Sequence, residues 1–300
     1  VAKNPPFGAV FNYYLPDSLP SLKDIRKKRE KKDQSFPGWE ALEQERRQLG
    51  PEIILTVKDD QGRNVRTVKG TNKKGFNRVS WNLTYPDMRG ELLNKKSENS
   101  WGSTEFMVTP GTYSVTLSKR ENGVVTELSP AQEFEVVSLR DGALPRASFE
   151  DIDAFRNSYF EFKENLTASR QVLSKDMKMV EAMKRAYDKG QLSSTELAQK
   201  IEKTRTDLLN LDERLTGNKT KGEIGEAGNP TPQSADGVAR SALGSSTYGP
   251  TGTHKATLAL ATERLNAIQT ELKQIDQTTI PGLINELKEA GAPWIEGSGL

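Results

Sequence analysis

Apolar and polar positions alternate along this chain with two different periods, and the switch between them falls near residue 148. The chain opens with Phe7-Gly-Ala-Val-Phe-Asn-Tyr-Tyr-Leu15, an aromatic and β-branched run that predicts a strand. Pro16 and Pro20 end it. Ser21 is a good N-cap for a charged helix running to about Gln34, and a second short helix is expected from about Gly38 to Leu49, stopped by Gly50-Pro51. From Glu52 the period is two. Ile53, Leu55 and Val57 alternate with their neighbours, Asp59-Asp60-Gln61-Gly62 supplies a turn, and Val65 and Val68 lie on the return strand. Further strands are predicted at Gly75–Leu83, Pro110–Leu117, Val124–Leu128 and Phe134–Val137. Short alternating strands separated by turn signals predict an antiparallel β-sandwich of Ig/fibronectin-III-like type. A polar insert at about 85–109, carrying Trp101, interrupts them as a surface loop.

Beyond Ser148 the apolar spacing becomes three and four. Ser148 is an N-cap, with Asp151 placed to complete a capping box. Ile152, Phe155, Tyr159, Phe162, Leu166, Ser169, Leu173, Met177 and Val180 form one seam on a long helix ending at Gly190. Leu197, Ile201, Thr204, Leu208, Leu211 and Leu215 form a second, terminated by Gly217. A third carries Leu258, Ala261, Leu265, Ile268, Leu272 and Ile275, and a short helix starts afresh at Pro281 and stops at Gly291. Narrow seams of this kind are stable only when packed together, which predicts an elongated antiparallel three-helix bundle. The segment at about 217–254 is rich in Gly, Ser, Thr and Pro and reads as an exposed loop. The fold class is therefore multidomain α and β. Residues 1–50 form a strand and two short helices suited to docking, 51–140 the sandwich, and 147–292 the bundle.

Composition narrows the chemistry. With 43 Lys and Arg against 41 Asp and Glu, the net charge is only +2, which argues against a nucleic-acid partner. The basic run Arg26–Lys32 reads as a solvated helix face. No stretch approaches the roughly 20 apolar residues of a membrane span. The chain begins Val1-Ala2-Lys3, without Met or a signal sequence, so it is expected to be processed or part of a longer polypeptide. There is no cysteine and one histidine, His254, so thiol catalysis, cysteine metal sites and histidine triads lack their parts.

Asp59 and Asp60 are explained by turn chemistry, and Asp151 and Asp153 by the dipole of the helix they begin. No EF-hand loop, Walker sequence or dinucleotide fingerprint occurs. No catalytic residue, metal ligand or cofactor is expected. Of the four tryptophans, Trp81 belongs to the sheet core and Trp39 packs a short helix onto the body. Trp101 and Trp294 are surface candidates, Trp101 for stacking on a glycan.

The segments Asn4–Leu15, Pro51–Gly62, Gly75–Leu83 and Pro110–Leu117, in this order, resemble the C-terminal region of bacterial sortilin-like BNR-repeat β-propeller proteins, often labelled glycosyl hydrolases. The resemblance covers about residues 4–140, and the helical part follows more loosely. It implies an exported protein, extracellular, periplasmic or on the cell surface. In it a propeller precedes this region, and Asn4–Leu15 docks against that propeller through Phe7, Val10, Phe11, Tyr13 and Tyr14. No Asp-box blade motif occurs in this chain, so any hydrolase site would lie upstream. The expected role is a non-catalytic accessory module that docks a propeller or another protein; the alternative is a carbohydrate-binding or glycan-processing module.

Overall fold

The computed structural model describes residues 7–32, 35–86, 105–139, 142, 145–190, 192–245 and 248–299. It is a mixed α and β chain with antiparallel sheets, and it divides into two compact units. The first holds described residues up to 86 and 105–139; the second begins at residue 142.

In the first unit, β1 (Ala9–Leu15) pairs antiparallel with β4 (Gly75–Trp81). The second sheet contains β2 (Glu52–Asp59), β3 (Asn64–Gly70), β5 (Gly111–Glu121), β6 (Val124–Glu127) and β7 (Gln132–Val136). Its order is β3-β2-β5-β6, with β7 also on β5. The expected hairpin is present. Asp59 Oδ1 accepts from the amides of Gln61 and Arg63 at 3.0 and 2.8 Å, which shapes the turn between β2 and β3. Both sheets turn apolar side chains toward one another. Trp81 of β4 packs with Val57, Val65, Tyr113 and Val136, and Leu15 of β1 with Ile53 and Leu55. Trp81 is buried as expected, and its indole N–H donates to the Thr84 carbonyl at 2.9 Å.

Residues 1–50 were expected as a linker strand and two short helices suited to docking, separate from a sandwich at 51–140. Instead β1 is a wall of the same core. Gly8 makes this fit: its φ is +105°, and a Cβ there would lie 2.0 Å from the Trp81 carbonyl oxygen. Two short helices follow, α1 (Leu22–Glu30) and α2 (Trp39–Arg47), and neither has a buried residue. A complete capping box between Ser21 and Asp24 starts α1. Arg26 of α1 ties the pair together through Glu45 of α2 and also pairs with Glu30 on its own helix.

The second unit is helical: α3 (Phe149–Lys189), α4 (Thr195–Thr216), α5 (Lys219–Glu223), α6 (Pro232–Gly244), α7 (Gly252–Gln274) and α8 (Ile280–Glu289). The seams of α3, α4 and α7 pack as their spacing predicts, with Tyr159, Phe162, Leu208, Leu215, Leu265 and Ile268 almost fully buried. Ser148 caps α3 by accepting the Asp151 amide at 3.1 Å. The reciprocal bond of a capping box is absent among the described residues, and the Asp151 carboxylate faces Lys255 of α7 instead.

The segment 217–254, read as an exposed loop, is exposed over residues 219–230 but is not all loop: it holds α5 and α6. Thr231 and Ser234 form a capping box around Pro232, and Ala235, Ala239 and Ala242 bury one face of α6. Tyr159 Oη and Lys163 Nζ of α3 both donate to Asp236 of α6, at 3.0 and 2.6 Å. The short helix expected from Pro281 is present as α8, with the proline in its first turn, but it does not stand apart from α7. A π turn at Ile275–Thr279 joins α7 to α8, and the Ile280 amide donates to the Ile275 carbonyl five residues back. Proline cannot supply the next helical donor, and the wider turn before it lets the rod continue.

Candidate functional site

Strand β1 alternates strictly between half-buried and exposed positions. Its pairing with β4 sets Val10 opposite Ser80, Asn12 opposite Arg78 and Tyr14 opposite Phe76. These six side chains make the outer face of the two-stranded sheet. Phe76 is 89% exposed and Tyr14 55%, and the two rings meet edge to face with centroids 5.2 Å apart. Arg78 Nε donates to Asn12 Oδ1 at 2.9 Å, a polar bridge beside the aromatic pair. Phe7, just before the strand, is 60% exposed. Aromatic rings standing in water on a short sheet are an unusual use of large apolar area.

The five residues marked for docking therefore separate. Phe7, Val10 and Tyr14 lie open to solvent. Phe11 and Tyr13 point inward and are committed to the unit's own core. Phe11 packs edge to face on Phe134 at 5.5 Å, and Tyr13 Oη donates to the Thr71 carbonyl at 2.6 Å. Gly70 makes room for that hydroxyl, since a Cβ there would sit 2.4 Å from it. Phe76 was missed. It belongs to a strand read only for its Val79–Trp81–Leu83 face, and its place opposite Tyr14 depends on a pairing that sequence does not state.

A second exposed aromatic pair lies at the start of α2. Trp39 does not pack that helix onto the body: it is 79% exposed and contacts Phe36, with ring centroids 5.0 Å apart. Trp294 is exposed too, its indole N–H donating to the Gly299 carbonyl at 2.8 Å. Trp101 lies outside the described residues. The roots of its insert are strand-like, with Thr84 bridged to Met107, and Phe106 and Val108 buried.

The described residues offer little reactive chemistry. None of their His, Asp and Glu groups converge in threes that could hold a metal ion. His254 sits in the first turn of α7, where its Nδ1 accepts the Thr251 amide at 3.1 Å. A neutral ring held this way carries its proton on Nε2, so it presents a donor rather than a base to Ser241 Oγ at 3.4 Å. That geometry is the reverse of what an activated serine needs. In the helical unit a groove of about 520 Å³ runs between α3 and α7, with Phe155, Phe162, Leu258 and Leu265 at its floor and Asp151, Glu161 and Lys255 at its rim. No helix of the described residues is long and apolar enough to cross a membrane. Comparison with known protein families, curated proteins and solved structures finds no match to the chain.

Proposed function

We propose that this chain is a non-catalytic C-terminal accessory module of a secreted or surface-exposed β-propeller protein, and that it docks that propeller, or another protein partner, through the outer face of the β1–β4 sheet. In this reading the two sheets form an Ig/fibronectin-III-like sandwich. Helices α3, α4 and α7 form an elongated three-helix bundle that serves as a spacer or arm. The observation that carries the proposal is the set Val10, Tyr14 and Phe76 on the outer face of one short sheet, with Phe7 just before it, all with no cover among the described residues. Fully burying each such side chain is worth roughly 1.5–3 kcal/mol, enough for a few of them to dominate a docking interface. The Asn12–Arg78 bridge, between the Val10 and Tyr14 rungs, would give that interface a polar contact among its apolar ones.

The test is to produce the polypeptide encoded immediately upstream as a separate protein. Its binding to this chain and to the Y14S/F76S variant would be measured by calorimetry. The proposal expects propeller repeats in that polypeptide, measurable binding, and a loss of about tenfold or more in the variant. Absence of the repeats, absence of binding, or equal binding by the variant would overturn it.

A further inference from the structure

Asp176 is the most deeply buried ionisable side chain that the fold has not already explained. It lies in the α3 seam between Leu173 and Val180, with no solvent exposure, and neither carboxylate oxygen has a hydrogen-bond donor. Lys175 Nζ is 3.4 Å from Asp176 Oδ1, but that ammonium makes its hydrogen bond to Asp276. Asp276 belongs to the π turn, the one irregular stretch in the rod from Gly252 to Glu289. Two carboxylates thus meet across the contact between α3 and the π turn with one partly exposed lysine to serve both.

Several charged side chains on the other elements packed against α3 are engaged elsewhere. Arg205 of α4 is held by Glu181 and Glu202, and Arg214 of α4 by Glu271 of α7. Glu286 of α8 is held by Lys200, and Asp236 of α6 by Lys163. An ionised Asp176 therefore has only the Lys175 ammonium beside it, 3.4 Å away and already bonded to Asp276, among the described residues. A protonated Asp176 becomes a donor itself, and Asp276 is the acceptor that bears on it.

We propose that Asp176 and Asp276 share a proton and so form a clamp that holds α3 against the π turn in acid and loosens as that proton leaves. Burial above all, with a further push from the Asp276 charge and against the pull of Lys175, raises the Asp176 carboxyl from 3.8 to about 6. The sign follows directly. A group whose folded value lies above its unfolded one contributes stability that is complete below the unfolded value and is lost as pH rises through the folded one. The clamp is therefore tight near pH 4 and open above about pH 6. The π turn is where the loosening would appear, because its wide ring of hydrogen bonds is the weakest part of the rod.

Hydrogen exchange of the amides of residues 275–280, followed from pH 5 to 8 in the full chain, tests this. D176N is the control that removes the ordinary pH dependence of exchange, since its amide donates to Asp276 at every pH. Relative to D176N, protection in the wild type is expected to fall on the order of 10- to 100-fold across the range. In D276N the transition is expected to move to lower pH, because the second carboxylate no longer opposes ionisation. A ratio of wild type to D176N that stays constant across the range would overturn the clamp. Should D176N fail to fold, the wild type and D276N still decide it: no transition in the wild type, or no downward shift in D276N, refutes the proposal.

Discussion

The sheet unit and the helical unit treat their large apolar side chains in opposite ways. In the helical unit the seams of α3, α4 and α7 bury almost everything they carry, and the side chains left in water, such as Ile224, Tyr248, Leu260 and Trp294, are scattered. In the sheet unit Phe7, Val10, Tyr14, Phe36, Trp39, Leu49, Phe76, Val124, Val125 and Leu139 all stand exposed, several as contacting pairs. Single exposed hydrophobics need no explanation, but paired aromatics aligned on one strand face do. The difference teaches that the helical unit commits the aromatic side chains of its seams to its own core, whereas the sheet unit carries paired aromatic surface suited to a cover.

Core truncations should break the comparison most severely. Trp81→Ala in the sheet unit and Phe162→Ala in the helical unit each remove a fully buried aromatic and should cost about 3–5 kcal/mol. Scanning calorimetry is expected to show two transitions, each substitution lowering only the one belonging to its own unit. A single transition shifted equally by both would deny that the units are separate. Next in size is Gly70→Ala, whose new Cβ would displace the Tyr13 hydroxyl from its bond to Thr71. It should destabilise the sheet unit by about 1–3 kcal/mol, read from the shift in denaturation midpoint. Ser148→Ala removes the cap of α3 and should cost about 1 kcal/mol in the helical unit alone.

Surface changes should do less to stability and more to association. Y14S/F76S is expected to stay within about 0.5 kcal/mol of the wild type by urea titration, since neither ring supports the core. A larger loss would mean that the outer face is structural. The smallest effect is electrostatic. Lys69 first and then Arg120 hold the Glu52 carboxyl below its ordinary range, so its contribution is present at neutral pH and is lost as acid protonates it. Acid should therefore lower the transition of the sheet unit slightly while tightening the Asp176 clamp in the other. Glu52→Gln should flatten only the first of these trends in a pH series of melting curves.

Much of this was legible in the chain because period and apolarity agreed. Every seam position read in α4 and α7, from Leu197 to Leu215 and from Leu258 to Ile275, is buried. The failures share a physical cause, which is that apolarity is not the only way to fill a core. Helix α6 buries alanines, whose weak signal was lost among glycines and serines, although Thr231-Pro232 and Ser234 marked its start. In α3 the reading placed Met177 in the seam, yet Asp176 is the residue fully enclosed. A carboxylate at that position has no hydropathic signature, and its partner Asp276 lies one hundred residues along the chain. The outer sheet face was half legible. Alternation in β1 is clear, but the opposition of Phe76 and Tyr14 follows from a strand pairing that no local pattern specifies.

The docking reading rests on whether that face is covered in the protein as its cell makes it. A photo-reactive phenylalanine analogue placed at position 14 of the whole gene product, irradiated in cells and mapped by mass spectrometry, reads this directly. The account predicts cross-linked peptides from the propeller or one other protein, and none from the same analogue at position 125 on β6. Cross-links equally frequent from both positions, or none from position 14, would contradict it.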